Sequence, residues 1–128
     1  MIKQLQIPIE FKYFCFIINQ LFEIEKKTNK LIEENSIGRN IQKLREYFEN
    51  NIFSDELGLS YHSPLGESFN ETRTDCEASI AGSSTENLLI TEVIKPVIRV
   101  HQGDRTFIIQ KAVVIVESQK ATKGKKNG

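Results

Sequence analysis

NLLITEVIKPVIRV (residues 87–100), HQGDR (101–105) and TFIIQKAVVIVE (106–117) make up the stretch whose reading decides the fold. β-Branched residues dominate it, and a turn-forming cluster interrupts it, a pattern that reads as strands. Strict alternation predicts Leu89, Thr91 and Val93 on one face and Ile90, Glu92 and Ile94 on the other. Pro96 has no N–H to give to a ladder, so the strand is expected to break or to lie on an edge there. His101-Gln102-Gly103-Asp104 is the expected hairpin turn, with Gly103 free to take a positive φ. Ala112 to Val116 is almost continuously apolar, which predicts a strand covered on both faces.

Upstream, the period is helical. After a lead-in over Met1 to Pro8, residues 9 to about 34 place Phe11, Phe14, Cys15, Ile18, Leu21, Phe22, Thr28, Leu31 and Ile32 on one broad face. Phe16, Ile17 and Ile24 lie off that face. A helix with apolar residues on more than one side needs more than one cover, and a second copy of the chain is the natural candidate. The alternative is an intramolecular core against the β part. Gly38, after Asn35-Ser36-Ile37, suits the left-handed residue that closes a helix. A second helix is expected from about Asn40 to Asn50, with Ile37, Ile41, Leu44, Phe48 and Ile52 on one face and Lys43, Arg45, Glu46 and Glu49 mainly solvated. Two such helical hairpins would make a four-helix bundle.

Ser54-Asp55-Glu56 and Gly58 mark a boundary, after which the period falls to two. Short strands are expected at residues 59–62 and 76–81, separated by a polar loop from Ser63 to Asp75 that carries a single aromatic, Phe69. Loops of that length in a compact unit are usually functional or disordered. The expected class is therefore α+β. A helical dimerisation region (1–57) precedes a small all-β domain of short antiparallel strands (58–118), and a Lys-rich tail (119–128) is expected to be disordered.

Composition narrows function mainly by exclusion. The chain has 128 residues and a formal net charge of zero, so no general attraction to nucleic acid or to a membrane surface follows. The apolar run from Phe11 to Phe22 is too short and too interrupted to span a bilayer. Two distant cysteines, Cys15 and Cys76, form no CxxC pair, and a reducing cytoplasm fits best. His62 and His101 stand alone, no nucleophile elbow is present, and no His/Cys/carboxylate spacing suits a metal. The expectation is a protein with no catalytic residues, no metal and no cofactor. An enzyme using Cys76 remains a third-ranked alternative that would need a cationic neighbour for the thiol.

The order of short motifs resembles a known family. Gly58-Leu59-Ser60-Tyr61, Leu65-Gly66-Glu67-Ser68-Phe69-Asn70, Glu77-Ala78, Ile90-Thr91-Glu92-Val93-Ile94-Lys95-Pro96, Gly103-Asp104-Arg105 and Ala112-Val113-Val114-Ile115-Val116 follow one another as in the C-terminal part of GrpE, the nucleotide exchange factor of DnaK-type chaperones. Several positions depart from that pattern. Ser68 stands for Pro, Asn70-Glu71 for Asp-Pro, Cys76 lies near the family's His, Val97 replaces Gly, Gln110-Lys111 replaces Arg-Pro, and the long N-terminal stalk is missing. The resemblance implies a homodimer whose β-domain binds the chaperone's ATPase domain and promotes ADP release. It implies partner contacts at Leu65, Gly66, Glu67, Phe69, Asn70, Arg73, Pro96 and Arg105, and bundle contacts at Phe14, Ile18, Leu21, Leu44 and Phe48. The departures leave open an adaptor of the same shape that has lost exchange activity and binds another partner.

Overall fold

The computed structural model describes residues 10–31, 36–50, 52–53 and 56–119. Expectations for Met1–Ile9, Ile32–Asn35, Ser54-Asp55 and the tail from Lys120 lie outside the described residues. Among the described residues, helices α1 (Glu10–Thr28) and α2 (Ile37–Asn50) precede seven strands. These are β1 (Leu57–His62), β2 (Ser68–Phe69), β3 (Cys76–Ala81), β4 (Leu88–Lys95), β5 (Val97–Gln102), β6 (Arg105–Gln110) and β7 (Ala112–Ser118). The class is α+β.

The helix boundaries differ from the sequence pattern at one junction. α1 stops at Thr28, where the amides of Lys30 and Leu31 bond back to the carbonyls of Lys27 and Thr28, tightening the final turn. Thr28 Oγ1 also donates to the Ile24 carbonyl at 2.8 Å. Gly38 closes nothing; it lies inside α2, which begins at Ile37.

The strands form two sheets, ordered β1-β5-β6 and β2-β4-β7-β3. Pro96 stands between β4 and β5 and is the point at which the chain leaves one sheet for the other. The break expected there occurs, because proline cannot continue the ladder. The β5–β6 hairpin turns at Gly103, whose φ is +59°. The expectation of purely antiparallel strands needs correction: β3 runs parallel to β7. A parallel pair requires a long crossover. Here β4, β5 and β6 supply it, an excursion through both sheets that no local pattern announces.

Alternation also fails in β4. Ile90 and Val93 are both buried despite opposite parity. The register against β7 slips between Ile90 and Glu92, and again between Val93 and Lys95. Each slip adds an unpaired residue and turns the following side chains over, so both apolar residues face inward while Thr91 and Ile94 face out. In β7, Ala112, Val114 and Val116 are buried and Val113 and Ile115 half-buried, as a central strand requires.

One core joins helices and sheets. Phe11, Ile18, Leu21 and Phe22 of α1 and Ile41 and Phe48 of α2 share it with Leu59, Ile90, Ile98, Val100, Val114 and Val116. Each fully buried aliphatic side chain there contributes roughly 1.5–3 kcal/mol. Phe11, Ile18, Leu21 and Phe22 of the broad face of α1 thus lie in the chain's own core, while Leu31 of that face is exposed. The helical and β segments, separable in sequence, are continuous in packing. Gly58 is a point of close approach between them. A methyl group built on it would lie 2.0 Å from the Glu49 carbonyl oxygen of α2, so only glycine lets β1 pass beneath the end of that helix.

Candidate partner-binding site

The segment between β1 and β3 (residues 63–75) is built from two turns and a clamp. Pro64, fully buried, anchors the first turn. Its carbonyl accepts the Glu67 amide at 3.1 Å, and Gly66 takes φ +86°, as the third residue of a type II turn requires. The turn is stitched to β4 by Gly66 N–H to Ile90 O and Ile90 N–H to Glu67 O, both 2.9 Å. In the second turn the Arg73 amide donates to the Asn70 carbonyl, while Asn70 Oδ1 accepts from the Thr72 amide and hydroxyl.

Arg73 is the clamp. Its Nη1 donates to the Ser68 carbonyl (2.9 Å), its Nη2 to Glu67 (2.7 Å), and its Nε to Asp75 (2.8 Å). Glu67 also meets His62 Nε2 at 2.7 Å, and Asp75 meets Arg99 at 3.5 Å. The hydrogen bond from Arg73 holds the Asp75 carboxyl down at about 2 and, with that from His62, keeps Glu67 below its ordinary value. The guanidinium is in turn held well above its own, chiefly by Asp75.

The candidate partner contacts do not all gather here. Leu65 is 60% exposed at the tip of the first turn, beside exposed Gly66. Asn70 is exposed, and Glu67 and Phe69 are half-buried, with Phe69 packed against the core. Three of the assigned residues stand apart from that exposed tip. Arg73 directs its guanidinium into the loop, because three acceptors surround it. Pro96 is fully buried at the corner between the sheets, its carbonyl accepting from Gln110 Nε2 at 2.9 Å. Arg105 is exposed, but it lies at the far end of the three-stranded sheet. Gln102 pairs with it there, while His62 pairs with Val97 at the loop end, roughly 17 Å away at 3.3 Å per residue.

The bundle contacts are redistributed too. Ile18, Leu21 and Phe48 are buried in the chain's own core, and Phe14 meets Phe48 and Phe53 edge-on. Of the five, Leu44 is exposed. Tyr13, Phe16, Ile17 and Ile24 of α1 and Tyr47 of α2 are exposed as well. The sequence already sets Phe16, Ile17 and Ile24 apart as lying off the core face.

Sequence reasoning missed two sets of residues. Arg45, expected to be solvated, reaches the Tyr61 carbonyl (3.1 Å) and Glu25 (3.2 Å), and its guanidinium lies 4.2 Å from the Tyr61 ring centre. Tyr61 donates to Glu25 at 3.0 Å, and burial pushes its phenol up. This cluster ties both helices to β1. His62, Asp75 and Arg99, the outer partners of the clamp, were also missed. The signal available for His62 was its position five residues before Glu67 across a Pro–Gly turn. The C-terminal end of α1 completes the site: Phe22, Lys26, Ser63, Leu65, Thr91, Glu92 and Val93 line a cleft of about 170 Å³ beside the loop. Lys26 Nζ donates to the Val93 carbonyl at 3.1 Å.

Cys76 is buried, and burial, with Asp75 adding to it, pushes its thiol up to about 11. Among the described residues no helix is long and apolar enough to cross a membrane, and no group of three or more His, Cys, Asp or Glu is placed to hold a metal. No family model matches the chain, and no curated protein or solved structure matches it either.

Proposed function

We propose that the chain is a GrpE-like nucleotide exchange factor that docks on the ATPase domain of a DnaK-type chaperone and promotes ADP release. The observation that carries this reading is the Arg73-clamped loop with Leu65 at its tip. A preformed loop offering one apolar anchor loses little conformational entropy on binding. Exchange then follows from differential affinity. A factor that binds the open nucleotide cleft better than the closed one weakens nucleotide by the same ratio, and it makes and breaks no bond itself. The test is release of a fluorescent ADP from a purified DnaK-type ATPase domain. Faster release that saturates with added chain supports the proposal; unchanged release at saturating, bound chain refutes it. Binding without release would instead support the adaptor, a reading favoured by the inward use of Arg73 and the burial of Pro96.

The same reading includes a homodimer through the helices, using the solvent side of the pair. Tyr13, Phe16, Ile17, Ile24, Leu44 and Tyr47 are each between 48% and 68% exposed. At roughly 100 Å² apiece they offer about 600 Å², close to the ~800 Å² per partner of a standard interface. The dimer is proposed on this set and not on the buried one. Sedimentation of the purified chain at micromolar concentration tests it, with the double variant Phe16→Glu, Ile17→Glu expected to sediment as a monomer.

A further inference from the structure

β3 is an edge strand of the four-stranded sheet, and among the described residues no strand pairs with its outer side. The Ala112 amide donates to the Asp75 carbonyl at 2.9 Å. In a parallel ladder with Cys76 opposite Ala112, that bond directs the backbone groups of Glu77, Ser79 and Ala81 toward β7. The N–H and C=O groups of Ala78 and Ile80 therefore point outward. Edge strands are normally blunted by shortness, proline, lysine, bulges or a covering element. β2 is two residues long, α2 covers β1, and β6 is bulged where its register slips between Gln110 and Ile108. β3 has six residues, no proline, no lysine and no slip in register, and all but Cys76 are exposed.

A groove of about 520 Å³ adjoins it. Ile80, Phe69 and Leu88 supply its apolar surface, and Asn70, Glu71 and Thr85 stand among its polar lining. Ile80 is 44% exposed although its register places it level with the core residue Val116, so it overhangs the packed part of the sheet. Glu71 lines the groove and Glu77 stands on β3, while the nearby Arg73 is paired within the clamp. Glu71 and Glu77 are both exposed.

We propose that the free edge of β3, with this groove, is a docking site for an extended segment of a partner protein bearing lysine or arginine. The segment adds a strand by pairing with Ala78 and Ile80, lays an apolar side chain over Ile80 and Leu88, and sets its cations against Glu71 and Glu77. The groove shares Phe69, Asn70 and Glu71 with the 63–75 segment but does not include Leu65, and the proposal does not rest on the exchange-factor reading.

The probe is an acetylated, amidated ten-residue peptide of alternating valine and lysine, titrated into the isotope-labelled full chain at low salt. A valine–glutamate peptide serves as the control. The lysine peptide is expected to shift the amides of β3 and Glu71 and to slow hydrogen exchange at Ala78 and Ile80; the glutamate peptide is expected to do neither. Ala78→Pro removes an outward donor without touching the ladder to β7 and is expected to weaken binding about tenfold or more. Should that variant fail to fold, the exchange measurement on the unaltered chain decides, together with Glu71→Lys, Glu77→Lys, expected to weaken binding about fivefold. No binding, equal binding of both peptides, or shifts away from β3 would overturn the proposal. So would much tighter binding after Lys120, Lys123, Lys125 and Lys126 are replaced by alanine, because the occupant would then be the chain's own tail.

Discussion

Replacing Gly58 by alanine probes the junction on which the whole arrangement depends. Its backbone is not in the left-handed region, so the substitution meets no φ penalty. On an open strand it would stabilise the protein by about 0.4–1 kcal/mol through the unfolded chain. Here the added methyl falls 2.0 Å from the Glu49 carbonyl oxygen, 2.8 Å from its carbon and 3.2 Å from its Cα. All three are backbone atoms of the last turn of α2, so no rotamer change relieves the clash. The helix end must retreat from β1 by more than about 1 Å, loosening Phe48 and the Arg45–Tyr61–Glu25 cluster with it. Overpacking of this kind costs about 1–3 kcal/mol, which corresponds to a fall in melting temperature of roughly 5–10 °C for a chain of this size. Urea unfolding followed by far-ultraviolet circular dichroism measures it as a lower midpoint at unchanged slope. A variant as stable as the parent, or more so, would show that α2 does not rest on β1.

Stability should fall in acid through the clamp. The Asp75 carboxyl titrates at about 2 in the folded chain against an ordinary 3.8, so its contribution is complete above about pH 4 and is lost as the pH falls through 2. Between pH 5 and pH 2 the unfolding free energy is expected to drop by roughly 1–2 kcal/mol from this group, and less in Arg73→Ala; an identical pH profile for the two proteins in urea titrations would contradict the clamp. Leu65→Ser, at an exposed tip, should change stability by no more than about 0.5 kcal/mol while abolishing chaperone binding in calorimetry. Cys76 should react with iodoacetamide at neutral pH roughly a hundredfold more slowly in the folded chain than in urea, and rapid labelling of the native protein would count against its burial.

Local chemistry was legible where local chemistry decides. Pro96 broke the strand, Gly103 turned the hairpin, and residues 76–81 formed the strand expected of them. Period alone could say that one side of α1 is covered, but not by what; Ile18 and Leu21 would suit a partner's helix or the chain's own core equally well, and the chain's own core has them. The same limit applies to Pro96, whose ring is buried because two sheets meet at it, and to Gly58, which reads as a boundary residue and serves as a contact. Arg73 and Arg105 look alike in sequence. Only the fold places acceptors around the first and leaves the second on a distant hairpin, its guanidinium over the Phe107 ring. The parallel β3–β7 pair depends on a crossover of thirty residues, and the bulges at Thr91 and Ile94 on the pull of Ile90 and Val93 toward one core.

Hydrogen exchange of the chain with and without a bound DnaK-type ATPase domain tests the central claim most directly. Added protection is predicted over Leu65 to Arg73 and at the C-terminal end of α1, with the Gly103–Arg105 turn unchanged. Protection confined to that hairpin, or none at concentrations where the two proteins form a complex, would contradict the claim that the clamped loop is the surface offered to the chaperone.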